Sequence, residues 1–130
     1  MVKPQFQPHV KEMLGEDFSQ LLYELAPFVE PRMDITESNQ HFTIYMELLG
    51  AITEDFSIKW TNHTLIIEGV IPKIQLENGR VISSERFYGP FRRMISIPKE
   101  CNMDQTDAVY NRGILVITIP FYQNEDSLGD

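Results

Sequence analysis

Three histidines, one cysteine and a few adjacent acids are the side chains of this 130-residue sequence best suited to making and breaking bonds, and their spacing points away from that chemistry. His9, His41 and His63 are scattered, without the short intervals that metal ligands share. No Gly-x-Ser-x-Gly turn or His-Glu-x-x-His helix occurs, and no glycine loop is present to cradle the phosphates of ATP. Glu16-Asp17 and Glu54-Asp55 read as solvated turns and a cap rather than general acid and base. Cys101 has no neighbouring His or basic cluster to lower its pKa, so it reads as an unreactive thiol beside a strand end. The sequence therefore predicts no catalytic residue, no metal and no cofactor; what is left for function is contact.

Contact of which kind is narrowed by composition. Nineteen acidic and eleven basic residues give a net charge of −8, which repels phosphate backbones and makes nucleic acid a poor partner. With 42% hydrophobic residues the chain can build one core, and 130 residues fit one domain. A single cysteine cannot form an internal disulfide, which suits a reducing cytoplasm. No apolar run approaches the roughly 20 residues of a membrane span, and the N-terminus has no apolar signal region. Asn62-His63-Thr64 matches the glycosylation pattern but reads as a hairpin turn.

Two periodicities divide the chain. In residues 1–30, Val10, Met13, Leu14, Phe18, Leu21, Leu22 and Leu25 recur at three and four residue intervals, which predicts an amphipathic arm with a helix over 17–26. Beyond Pro31 the period is two. Phe42, Ile44, Met46 and Leu48 face one way and His41, Thr43, Tyr45 and Glu47 the other, which is a half-buried strand. Phe56-Ile58-Trp60 and Leu65-Ile67 flank Thr61-Asn62-His63 as a hairpin. Runs from Phe91 to Ile97 and from Ile114 to Ile119 are closed by Pro98 and Pro120, which end ladder pairing. Between Gly69 and Arg86 lies a connection too long for an ordinary loop, with its own turn at Asn78-Gly79 followed by Val81 and Ile82; it reads as a projecting arm. Gln123 to Asp130 reads as an acidic, disordered tail. Short strands without strand and helix alternation predict a β-sandwich with one helical appendage.

One stretch goes further. Ala108-Val109-Tyr110-Asn111-Arg112-Gly113-Ile114-Leu115, followed by Val116-Ile117-Thr118-Ile119-Pro120, resembles the signature of alpha-crystallin domains, the small heat-shock protein family. A small Ala108 suits the approach of two sheets, Gly113 a left-handed turn, and Leu115 the core between sheets. Pro31-Arg32-Met33-Asp34-Ile35 with Glu37 is similar to the family's first strand, and Met46-Glu47-Leu48-Leu49-Gly50 to the next, with Leu49 where the family usually has proline. Glu85-Arg86-Phe87-Tyr88-Gly89-Pro90-Phe91-Arg92-Arg93, then Ile97-Pro98, is similar to the loop strand of bacterial, plant and archaeal members. The resemblance spans residues 31–121.

It implies an immunoglobulin-like antiparallel β-sandwich over 31–121, an arm at 1–30 and a flexible tail at 122–130. It further implies an ATP-independent chaperone that holds unfolding clients, without enzymatic activity. The client-binding residues would be Phe18, Leu21, Leu22, Tyr23, Leu25, Phe28 and Val29 of the arm, by non-directional burial; that the arm packs back on its own sandwich is the competing reading. A homodimer would form by exchange of residues 81–88 onto strand 32–36 of the other subunit, through Arg32, Asp34, Ile35, Val81, Ile82, Glu85, Arg86 and Tyr88. Arg93 matches an arginine that steadies the dimer region through carboxylates. A receiving groove would lie between strands 55–60 and 105–110, lined by Phe56, Ile58, Trp60, Ala108 and Tyr110. The isoleucine-x-isoleucine or valine motif that docks there has no counterpart from Tyr122 to Asp130, so the groove is left empty, or filled by the arm or by a partner's tail. Co-assembly with related proteins, and recruitment as a coat or scaffold component, stay open as alternatives.

Overall fold

Alternation along the sequence becomes pairing between strands in the computed structural model, which describes residues 7–12 and 30–123. Eight strands appear among these residues: β1 (Val10–Glu12), β2 (Met33–Glu37), β3 (His41–Glu47), β4 (Phe56–Thr61), β5 (Thr64–Ile71), β6 (Gly89–Ser96), β7 (Asp107–Asn111) and β8 (Ile114–Pro120). They form two four-stranded sheets, in the orders β1-β4-β5-β6 and β2-β3-β8-β7. All pairs are antiparallel except β1 with β4, which is parallel.

The inward faces meet as the period-two reading requires. Ile44, Met46 and Leu48 from β3 and its end pack with Leu115, Ile117 and Ile119 of β8, all fully buried, against Ile58, Leu65, Ile67 and Phe91 of the other sheet. Each such side chain contributes about 1.5–3 kcal/mol of gross burial. This core holds the sheets face to face and fixes their register, since a slip of one residue would turn Ile44 and Ile117 outward.

Two turns carry left-handed backbone. Asn62 and His63, with φ of 46° and 61°, close β4 onto β5 in the mirror-type turn that matches strand twist. Arg112 and Gly113, with φ of 55° and 82°, close β7 onto β8. At Gly113 a side chain would also collide, because a Cβ there would lie 2.9 Å from Leu49 Cδ1 and 3.2 Å from Leu49 Cα.

The predicted helix over 17–26 falls outside the described residues. One part of the amphipathic series is corrected: Val10 lies in strand β1, paired with Ile58, and packs on the core. Three-residue spacing to Met13 and Leu14 suggested a helix, but the open edge of β4 decides the local conformation, which no periodicity encodes.

Candidate functional site

The groove residues converge where β4 and β7 face each other at one end of the sandwich. Phe56, Ile58, Ala108 and Tyr110 are buried, and Trp60 is partly buried against the same core. Phe56 and Tyr110 meet edge to face, with ring centroids 5.3 Å apart at 71°. The Tyr110 hydroxyl lies 2.6 Å from both the Leu48 and the Ala51 carbonyl oxygens and shares its one proton between these acceptors. Burial, with help from the Asp55 carboxylate, raises the Tyr110 pKa, so the phenol stays a donor. The contact anchors β7 to the turn that follows β3. On its other side from β5, β4 pairs with β1, with Val10, Lys11 and Glu12 in register with Ile58, Lys59 and Trp60.

The second gathering is at the opposite edge. β2 pairs on one side with β3, from Met33 with Met46 to Glu37 with Phe42, and is the edge strand of its sheet. Asp34 and Ile35 are exposed there, Ile35 by 45% of its surface. Residues 72–88 form no strand within the single chain. Val81, Ile82, Phe87 and Tyr88 of this connection are exposed, Ile82 by 90%. Part of the loop closes on itself: Lys73 Nζ sits 4.8 Å above the Tyr88 ring, over a cleft of about 230 Å³ that Val81, Glu85 and Arg86 also line. A larger cleft of about 410 Å³ opens between the loop and the start of β2, lined by Arg32, Leu49, Ile71, Arg86 and Phe87. The Arg86 guanidinium reaches back over Gly50, whose φ of 99° turns the chain there. Arg32 and Arg86 are thus brought together around one cleft, while Val81 and Ile82 stand away from β2 of their own chain.

Arg93 sits between these regions. Its neighbours Phe91 and Ile95 point into the core, and its own side chain follows that face to donate to the Pro31 carbonyl at 3.0 Å. The partner inside the chain is therefore a backbone oxygen rather than a carboxylate. Arg92, on the outer face, pairs with a carboxylate inside the chain: its Nε lies 3.0 Å from Glu68, which also meets Lys59 at 3.4 Å. Sequence reasoning missed this cluster, because its members meet only through the register of β4, β5 and β6.

Cys101 is fully buried, and burial, with Glu100 and Glu37 nearby, pushes its thiol pKa up to about 11. His63 Nε2 lies 3.3 Å from the Cys101 carbonyl oxygen, so this histidine ties the β4–β5 turn to the segment after β6. Among the described residues, no group of three or more His, Cys, Asp or Glu is placed to hold a metal ion. No helix among them is long and apolar enough to cross a membrane.

A two-sheet sandwich with a left-handed Gly113 turn, an open β2 edge and a long connection before β6 defines a class, and comparison with known proteins gives it a name. The chain belongs to the Hsp20/alpha crystallin family, which residues 34–128 match. Small heat shock protein C2 of Rickettsia felis is 40% identical over 91 residues, which cover 69% of this chain and 59% of that relative, less than two thirds of its length. Among solved structures, heat shock protein 16.0 from Schizosaccharomyces pombe is similar with a TM-score of 0.68 at 28% identity, over 73% of this chain and 89% of that one. A small heat-shock protein from Xylella fastidiosa is similar with a TM-score of 0.67 at 30% identity, over 75% and 90% of the two chains.

Proposed function

We propose that the chain is an ATP-independent holdase: it takes up unfolding proteins on apolar surface and keeps them from aggregating. The observation that carries this reading is the division between a sandwich whose core is closed and apolar side chains left outside it, Ile35, Ile74, Val81, Ile82 and Phe87 among the described residues. Burial of such side chains is non-directional and does not discriminate between clients. The arm at 1–30 would add Phe18, Leu21, Leu22, Tyr23, Leu25, Phe28 and Val29 as client contacts, with 31–121 as the scaffold and 122–130 as a solubilising tail in a cytoplasmic protein.

Oligomerisation belongs to the same reading. A client contact offsets much of its gain by ordering both chains, so several arms on one particle raise the effective affinity. A dimer would form as residues 81–88 of one copy pair with the β2 edge, residues 32–36, of another. The unpaired N–H and C=O groups of β2 and the exposure of Val81 and Ile82 favour that exchange. The Xylella relative is described as having a distinct high order structure.

Light scattering of an unrelated client during heating, without nucleotide, tests the reading. The full chain should suppress aggregation, and deletion of residues 1–30 should weaken this while leaving a folded domain. Val81→Pro should lower the particle mass by blocking strand pairing. No protection at any ratio of chain to client would sink the holdase assignment in favour of a coat or scaffold role.

A further inference from the structure

Three arginines from separate parts of the chain meet at one cleft. Arg32 precedes β2, Arg86 lies near the end of the connection before β6, and Arg112 sits in the turn from β7 to β8; all three line the cleft of about 410 Å³. Among the described residues, no carboxylate lies within ion-pair distance of any of them, and their guanidiniums make no hydrogen bond. In a chain with 19 acidic and 11 basic residues, composition alone would not leave three cations together without acids. Glu30 and Glu47 also line the cleft, so three positive charges against two negative leave it with one net positive charge.

Backbone contacts hold the walls in place. The Glu47 amide donates to the Arg32 carbonyl at 3.0 Å and the Leu48 amide to the Gly113 carbonyl at 2.7 Å, so the end of β3 fixes Arg32 on one side and the Arg112 turn on the other. Arg112 has a φ of 55°, at a turn position that suits Asn or Gly better. The Arg86 guanidinium fills the space over Gly50, where a Cβ would lie 3.1 Å from its Nη2. Apolar surface completes the lining: Ile71 is buried, while Leu49 and Phe87 are exposed beside it.

We propose that this cleft binds a small monoanionic amphiphile, its carboxylate held by the guanidiniums and its aliphatic body laid on Ile71, Leu49 and Phe87. A planar guanidinium matches a carboxylate through two parallel hydrogen bonds. One net positive charge suits a single carboxylate better than the double charge of a phosphate, and the volume falls within the roughly 300–1,000 Å³ of small-molecule sites. Arg86 and Phe87 belong to the connection and Arg32 to the β2 edge of the same chain, so a ligand that joins them keeps the connection at home. On the exchange reading above, it then opposes dimer formation.

Calorimetric titration of the full chain with octanoate tests the site, with octanol as the same body without charge and inorganic phosphate as charge without a body. Octanoate should saturate one site per chain, and the other two should bind at least tenfold more weakly. Arg86→Gln should weaken octanoate about tenfold; Arg80→Gln, at an exposed arginine of the same connection outside the cleft, should leave it unchanged. Arg112→Asn should weaken it about fivefold without lowering the thermal unfolding midpoint, because Asn suits the left-handed turn. Octanol or phosphate binding as tightly as octanoate, no saturable binding of octanoate, or equal losses in Arg80→Gln and Arg86→Gln would overturn the site. Light scattering then reads assembly: saturating octanoate should lower the particle mass. Saturable binding with unchanged mass would overturn the opposition to exchange and leave the site standing. A chain that is monomeric without octanoate would defeat the exchange reading and that consequence with it, while calorimetry still decides the site.

Discussion

The pairing of β3 with β8 and the connection at 72–88 place apolar residues in opposite circumstances. Along β3 and β8, Ile44 faces Ile117 and Met46 faces Leu115 with no exposed surface, and seven residues on each strand are in register. In the connection, Val81 and Ile82 have the same chemistry and are exposed. Composition does not separate the two regions. The difference lies in whether a partner strand comes from the same chain. Where it does, the apolar residue stabilises the monomer; where it does not, the residue stays at the surface.

The comparison breaks most readily in the core. Ile44→Ala should lower the unfolding free energy by about 4 kcal/mol in a denaturant titration, whereas Ile82→Ala should leave it within about 0.5 kcal/mol and act instead on particle mass. Equal losses at both positions would erase the distinction. Gly69→Ala comes next: opposite Phe56 in register, its added Cβ would collide with the Asp55 carbonyl oxygen and lie 2.6 Å from Phe56 Cα, so β4 must move, at a cost of about 3 kcal/mol in the same titration.

Alkali sharpens the contrast from another side. The Cys101 thiol has its pKa raised from near 9 in the unfolded chain to about 11 in the folded one. Below pH 9 both states hold the proton and stability is full; as pH rises toward 11 the unfolded state loses it first, and about 2–3 kcal/mol of stability drains away. Tyr110, raised for the same reason, adds to the loss at the upper end of that range. Stability measured from pH 8 to 11 should therefore fall in the natural chain and fall less in Cys101→Ala. The smallest loss expected inside the core is that of Tyr110→Phe. It removes the donor that Leu48 and Ala51 carbonyls share, and a loss of about 1–2 kcal/mol should appear in thermal unfolding without any change in particle mass.

Most of the sandwich was legible because period two writes itself into the sequence. Phe42 to Leu48 and Ile114 to Ile119 announce one buried face each, and Asn62-His63 and Arg112-Gly113 occur where the chain must turn with positive φ. The signature around Gly113 pointed to the family before any coordinates did. Three things were not legible. β1 depends on an edge that exists only after β4 has folded, so Val10 looked like the start of a helix. The partner of Arg93 is a backbone carbonyl 62 residues away, and no side-chain pattern marks it. Glu68 joins Lys59 and Arg92 by lying between them in the sheet, which follows from register alone. Each of these belongs to tertiary placement rather than to local preference.

The place of β8 has a consequence for how the molecule comes into being. Last of the strands among the described residues, it lies inside its sheet, between β3 and β7. The meander β4-β5-β6 joins neighbours in sequence and can assemble while the chain is still being made. The other sheet cannot close until residue 120 has left the ribosome, because β3 waits for a strand some seventy residues downstream. With its second sheet open, the chain is itself unfinished, with Ile44 and Met46 uncovered, until β8 has been made.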